Sequence, residues 1–286
     1  MRKTLLLLAI PLLLSSAAFA EEIDVSAEDL NIEEPSLLPD SPFYFFKEWG
    51  RNIRSFFTFD SVAKMELENQ YANEKLLELK KLVEENRSEQ AIKETNEEYQ
   101  RRVRKIEEIA ERAQQKEGVS SFLDKYTNHQ ILHQRILEKL EQQVPEEAFE
   151  RIRETREEHL ERFKEVMLKL EEGEQIPERI ADAIEKQKGN EFKEFKNMEI
   201  MERIREKMPE EIQEKLEEKQ NQMLERLRNK IENAPEEQQE RFQNYVKEVP
   251  GDAGTKLRIM ERIEAQVKEK PILRQRMQET KSQIIE

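Results

Sequence analysis

Apolar residues recur at spacings of three and four along most of the chain. Val62, Met65, Ala72, Leu76, Leu79 and Val83 form one such stripe, and Ile92, Tyr99, Val103, Ile106 and Ala110 form the next. A period near 3.6 puts each set on one face of a helix. Asp60-Ser61 and Ser88 stand where the two helices should start, because a short polar side chain there accepts from the orphan amides of the first turn. The second helix is expected to run to about Gln115, with Gly118 as its stop. The short break at Asn86-Arg87-Ser88 predicts a helical hairpin.

The second half is punctuated by proline. Pro145, Pro177, Pro209 and Pro235 are each followed by Glu, at intervals of 32, 32 and 26 residues. Proline suits the first helical position, and Glu in the first turn suits the helix dipole. A step of that size is one helix pair, so residues 119–286 are expected to form repeated helical hairpins. Degenerate hairpins without regular stacking are the alternative, because the apolar residues between the prolines do not repeat cleanly. Gly173, Gly189-Asn190 and Pro250-Gly251-Asp252 mark further breaks. The fold class expected is all-α: elongated helical hairpins or a bundle around a thin apolar seam.

Residues 41–59 depart from this pattern. Ser41-Pro42 reads as an N-cap followed by proline. Eight aromatics follow within 17 residues, including Trp49, the chain's only tryptophan. Phe46, Trp49, Ile53, Phe56 and Phe57 share a helix face, while Lys47, Glu48, Arg51 and Arg54 lie largely off it. Two uses are open. The stripe is either a plug that packs on the following helices, or a face that docks on a partner or, through residues 42–59, on a membrane surface.

Composition narrows the function. Of 286 residues, 112 are charged, and the net charge is −14. Such a balance opposes binding to nucleic acid, which wants a basic stripe. There are 56 Glu but only 7 Asp. Glu decorates helices, whereas Asp-rich calcium loops are missing. The absence of cysteine removes disulfides and thiol chemistry. No Gly-x-Ser-x-Gly elbow and no Gly-rich phosphate loop occurs.

Arg2 and Lys3 precede an apolar run from Leu5 to Leu14 and a small-x-small motif, Ala18-Phe19-Ala20. This is the pattern of a secretory signal peptide over 1–20, so the chain is expected to be exported to a periplasm, cell surface or medium. Residues 21–39 are acidic and proline-bounded, and read as a disordered linker. Residues 40–118 then hold the aromatic helix and the hairpin.

Three histidines fall close together: His129, His133 and His159. The first two are four apart on one helix. If the chain folds back near Val144-Pro145, His159 comes level with them on the facing helix. Three imidazoles can hold Zn²⁺, Cu²⁺ or Ni²⁺, with water or Glu158 as a fourth ligand. The alternative is polar packing that responds to pH. No cofactor is expected apart from such a divalent transition metal.

The run Leu38-Pro39-Asp40-Ser41-Pro42-Phe43-Tyr44-Phe45-Phe46-Lys47, then Phe56-Phe57-Thr58-Phe59-Asp60 and Ala72-Asn73-Glu74-Lys75-Leu76, resembles an uncharacterised family, a domain of unknown function. Its members are exported helical proteins of bacteria and archaea, and the resemblance covers about residues 36–115. It implies an extracytoplasmic, all-helical domain and carries no activity. The function expected is an exported, non-enzymatic interaction or scaffold protein of the envelope, with other envelope or surface proteins as partners. The alternatives are a periplasmic-type helical chaperone and a metal-binding protein.

Overall fold

The computed structural model describes residues 24–267 and 271–285; the expected signal peptide lies outside them. Among the described residues the regular structure is entirely α-helical. Helix α1 spans Tyr44–Phe56, α2 Ser61–Glu84, α3 Glu89–Ala110, α4 Val119–Gln143 and α5 Glu146–Leu170. They are followed by α6 (Ile176–Glu185), α7 (Lys193–Lys207), α8 (Glu210–Asn233), α9 (Glu236–Glu248), α10 (Ala253–Gln266) and α11 (Pro271–Ile285).

Local chemistry sets the boundaries. Asp60 accepts from the Ala63 amide at 2.9 Å and Ser88 from the Ala91 amide at 3.3 Å, so both expected caps are in place. Pro145, Pro209 and Pro235 occupy the N-cap positions of α5, α8 and α9, each in extended backbone with two glutamates in the turn that follows. Pro177 sits inside the first turn of α6. Two boundaries differ from expectation. Helix α1 starts at Tyr44, because Ser41 turns its hydroxyl onto the Phe43 amide and residues 41–43 form a turn. Helix α3 ends at Ala110, and Gly118, with φ near +90°, begins α4 instead of ending α3.

Helices α2, α3, α5 and α4 pack in that cyclic order, each against the next and α4 back against α2, which makes a four-helix bundle. The turn at Gly118 therefore does not separate two units of packing. The hairpins of the second half are not a regular array: α4 and α5 complete the first bundle, and α6 and α7 lean on them. Helices α7 and α8 form the next hairpin, α10 packs on both and α9 on α8, and α11 packs on α9 and α10. One apolar core runs from Val62 through α4 and α5 to Met277, and a second joins the far ends of α2, α3 and α4.

Residues 24–39, expected to be disordered, pack as a strap over the bundle. Val25, Ala27 and Leu30 are buried in the second core. Asp24 binds Lys80 and Lys139, and the Leu30 carbonyl accepts from Asn73 at 3.0 Å. Ile32 and Leu38 pack against the same core, and lysines of α2 and α4 neutralise the charge that suggested disorder.

Candidate functional site

Helix α1 faces the bundle with its polar side. Tyr44, Arg51 and Ser55 are its buried residues. They meet carboxylates that α2 carries inward, Glu68 and Glu78, neither of which has exposed surface. Tyr44 donates its phenol to Glu78, and Ser55 donates to Glu68 at 2.7 Å. Arg51 pairs with Glu48 at 2.5 Å, with Glu78 at 3.0 Å, and with Glu74. Lys47 reaches Glu78 at 2.7 Å, and Lys75 reaches Glu48 at 2.8 Å. From α3, Arg102 binds Glu68 at 3.0 Å and Glu48 at 3.2 Å.

Lys105 also reaches Glu68 at 3.7 Å, so each of the four carboxylates has a cation beside it, which is the condition for burying charge at tolerable cost. Burial alone would raise the Glu48 carboxyl, but Lys75 and Arg51 outweigh it and hold its pKa at about 2. Glu78 is likewise held below the usual range by Lys75, Arg51 and Lys47 against burial. Burial and Glu78 push the Tyr44 phenol up, so it stays protonated and donates. The Arg51 and Arg102 guanidiniums also lie 5.6 and 5.2 Å from the Tyr71 ring centre, a cation–π arrangement.

The opposite side of α1 faces solvent. Phe46, Trp49, Phe56 and Phe57 are 58–71% exposed, and Ile53 is 40% exposed. Phe43, Phe45 and Phe59 extend the patch beyond them. Among the described residues, eight of the ten exposed large apolar side chains lie between Phe43 and Phe59. The plug expectation is therefore corrected: the cores are filled by Leu, Ile, Met, Val, Phe and Tyr of the other helices, and the stripe is left outside. Within the patch the Phe45 and Phe46 ring centres lie 3.9 Å apart, and Phe56 stands edge-on to Phe57 at 5.3 Å. The residues that sequence reasoning missed are the inward carboxylates Glu68 and Glu78, which look like any other glutamate of a charged helix.

The histidines are buried in the middle of the bundle. The His133 and His159 rings lie 5.5 Å apart. His133 Nε2 donates to Asn73 at 2.7 Å and its Nδ1 accepts from the Tyr99 hydroxyl at 3.1 Å. His159 Nε2 donates to Gln130 at 2.5 Å and its Nδ1 accepts from Gln134 at 2.6 Å. His129 Nδ1 accepts from Asn69 and Asn73 at 2.9 and 3.0 Å, and its Nε2 is 3.1 Å from the Asn31 amide. Gln130 donates to Asn69 at 3.2 Å and joins the parts.

Every ring nitrogen is thus engaged with an amide or a phenol. Among the described residues, no group of three or more His, Cys, Asp and Glu is arranged to hold a metal ion. Glu158, the candidate fourth ligand, pairs with Arg104 and Arg162 instead. Burial lowers all three imidazoles: His129 to about 4, with Lys125 adding, His159 to about 3, and His133 well below its ordinary value with the other two rings adding. The network is neutral, and it ties the strap, α2, α3, α4 and α5 together. A neutral imidazole offers one donor and one acceptor, which is what His133 and His159 need, whereas His129 meets amide NH2 groups at both nitrogens and accepts through Nδ1.

A cleft of about 610 Å³ lies between α4, α5, α7 and the start of α10. Its cations are already paired: Arg156 with Glu138 and Glu141, Arg203 with Glu157, and Arg258 with Glu206. Beside it, burial and Glu138 raise the Glu199 carboxyl to about 7 against the pull of Lys196. Glu199 accepts from the Asp252 amide at 2.8 Å.

Residues 36–147 match the family model of a domain of unknown function (DUF5667). The match takes in α1 to α4 and the first residues of α5, so it includes the aromatic face, its ionic underside, His129 and His133, but not His159. No curated protein and no solved structure matches the chain.

Proposed function

We propose that the protein is an exported, non-enzymatic docking module of the cell envelope, attached to envelope or surface components through the outer face of α1. The inverted orientation of α1 carries this reading. A helix with one apolar and one polar side normally buries the apolar one. Here the polar side is fixed to the bundle by paired charges, and eight large apolar side chains are left in one exposed patch. Patches of that kind mark interaction sites. The Arg2-Lys3, Leu5–Leu14 and Ala18-Phe19-Ala20 pattern supports export. A cleft whose cations are already paired, and a sequence without a nucleophile motif, support a role without catalysis.

Cell fractionation tests the reading. The protein is expected to partition with the envelope of the producing cell. Trp49→Ser with Phe56→Ser is expected to move it to the soluble exported fraction with an unchanged melting temperature. An unchanged distribution would defeat the docking reading.

A further inference from the structure

We infer that the surface on which α1 docks is a lipid bilayer, with the aromatic ridge lying flat in the headgroup region; this rests on the docking reading above. Three observations point to lipid. The first is the shape of the face. It is a convex ridge of bulky side chains, each of Phe46, Trp49, Phe56 and Phe57 more than half exposed. Such a ridge needs a partner that deforms around it, as a headgroup layer does.

The second is charge. Asp and Glu make up 63 of 286 residues, yet Glu48, the only carboxylate between Phe43 and Phe59, is turned inward onto Arg51, Lys75 and Arg102. Among the exposed residues of α1 the one charged side chain is Arg54. A cation at the rim of an aromatic face suits phosphate headgroups. A second copy of the face would instead set Arg54 against Arg54, with no carboxylate on the face to pair them.

The third is length and direction. Thirteen residues at about 1.5 Å each give a helix of about 20 Å, which lies on a bilayer and does not cross it. No described helix is long and apolar enough to cross a membrane. The ionic underside then acts as the bracket that holds the bundle against the surface. Because the chain is acidic overall, aromatic insertion and not charge must drive the contact. Neutral phosphatidylcholine is therefore expected to bind at least as well as a mixture with phosphatidylglycerol.

Trp49 is the chain's only tryptophan and stands on the ridge, so it reports its own environment. The full chain, and the chain beginning at Glu21, are titrated with phosphatidylcholine vesicles. The Trp49 emission is expected to shift to the blue, the protein to sediment with the vesicles, and the binding to survive high salt. Phe46→Ser and Phe56→Ser, compared with the parent of the same length, are each expected to weaken binding about tenfold or more. Phe46→Leu is expected to keep most of it.

No difference between parent and Ser variants would overturn the assignment to lipid. So would binding confined to anionic vesicles and abolished by salt. A blue shift that depends on protein concentration alone, with a doubled mass, would give the face to a second copy. Failure with vesicles together with loss from the envelope in the fractionation test would assign the face to a protein, leaving docking intact.

Discussion

Arg51 of α1 and Glu78 of α2 form an ion pair at 3.0 Å in which both side chains are buried. The pair anchors the helix by its polar side and so decides which side is left for solvent. Removing one partner leaves a buried charge short of compensation. Arg51→Met is expected to destabilise the protein by about 3 kcal/mol, read from urea unfolding. Trp49→Ala, on the other side of the same helix, is expected to stay within about 0.5 kcal/mol of the parent. Equal losses would mean that the aromatic side is packed.

Acid should destabilise the bundle through its histidines. In the folded chain they are lowered to about 4 for His129, about 3 for His159, and well down for His133. The ordinary imidazole value is about 6.5. Well above pH 6.5 neither state binds the histidine protons, and the histidines' contribution to stability is at its full value. As pH falls below 6.5 the unfolded chain takes up protons that the folded network refuses. Each histidine then costs about 1.4 kcal/mol per pH unit. Glu199 works the other way: raised to about 7, it favours the folded state as pH falls from 7 towards 4.5. Three histidines outweigh one carboxyl, so a net loss of about 2–3 kcal/mol per unit is expected between roughly pH 6 and 4.5. His159→Gln should reduce that slope. A flat profile would mean that the network is not neutral and buried.

The same network makes a forecast about metal. Each ring nitrogen already has an amide or phenol partner, and binding would break those bonds. Zn²⁺ after chelator treatment is expected to leave the thermal melt unmoved. Stabilisation of about 2.7 kcal/mol at a hundredfold excess over Kd, lost in His129→Ala, would contradict this arrangement.

Two glycines give opposite expectations. At Gly251 φ is near +155°, and an added Cβ would come 2.0 Å from a Glu199 oxygen. Gly251→Ala should cost about 1–3 kcal/mol. Gly50, on the outer side of α1, has nothing within 4 Å. Gly50→Ala should stabilise the helix by about 0.5–1 kcal/mol. Differential scanning calorimetry of the two variants checks both.

Much of this fold is legible in the sequence, and the reasons are local. Proline with glutamate marks the starts of α5, α8 and α9, and Asp60 and Ser88 mark those of α2 and α3. The antiparallel turn at Pro145 puts His159 beside His133. Orientation was harder to read. Whether Phe46 and Trp49 face in or out depends on Glu68, Glu74 and Glu78, which resemble the solvated glutamates around them. Periodicity finds a face but not its direction when 39% of residues are charged. The amides Asn69, Asn73, Gln130 and Gln134 were hidden for the same reason, since nothing local separates a buried amide from an exposed one.

Collisional quenching of Trp49 fluorescence in the free protein tests the inverted helix most directly. With the aromatic side outward, acrylamide should quench Trp49 nearly as well as a free indole, and its emission should be that of a hydrated ring. A blue emission protected from acrylamide at low protein concentration would place Trp49 in a core. That result would contradict the orientation of α1 and the docking face built on it.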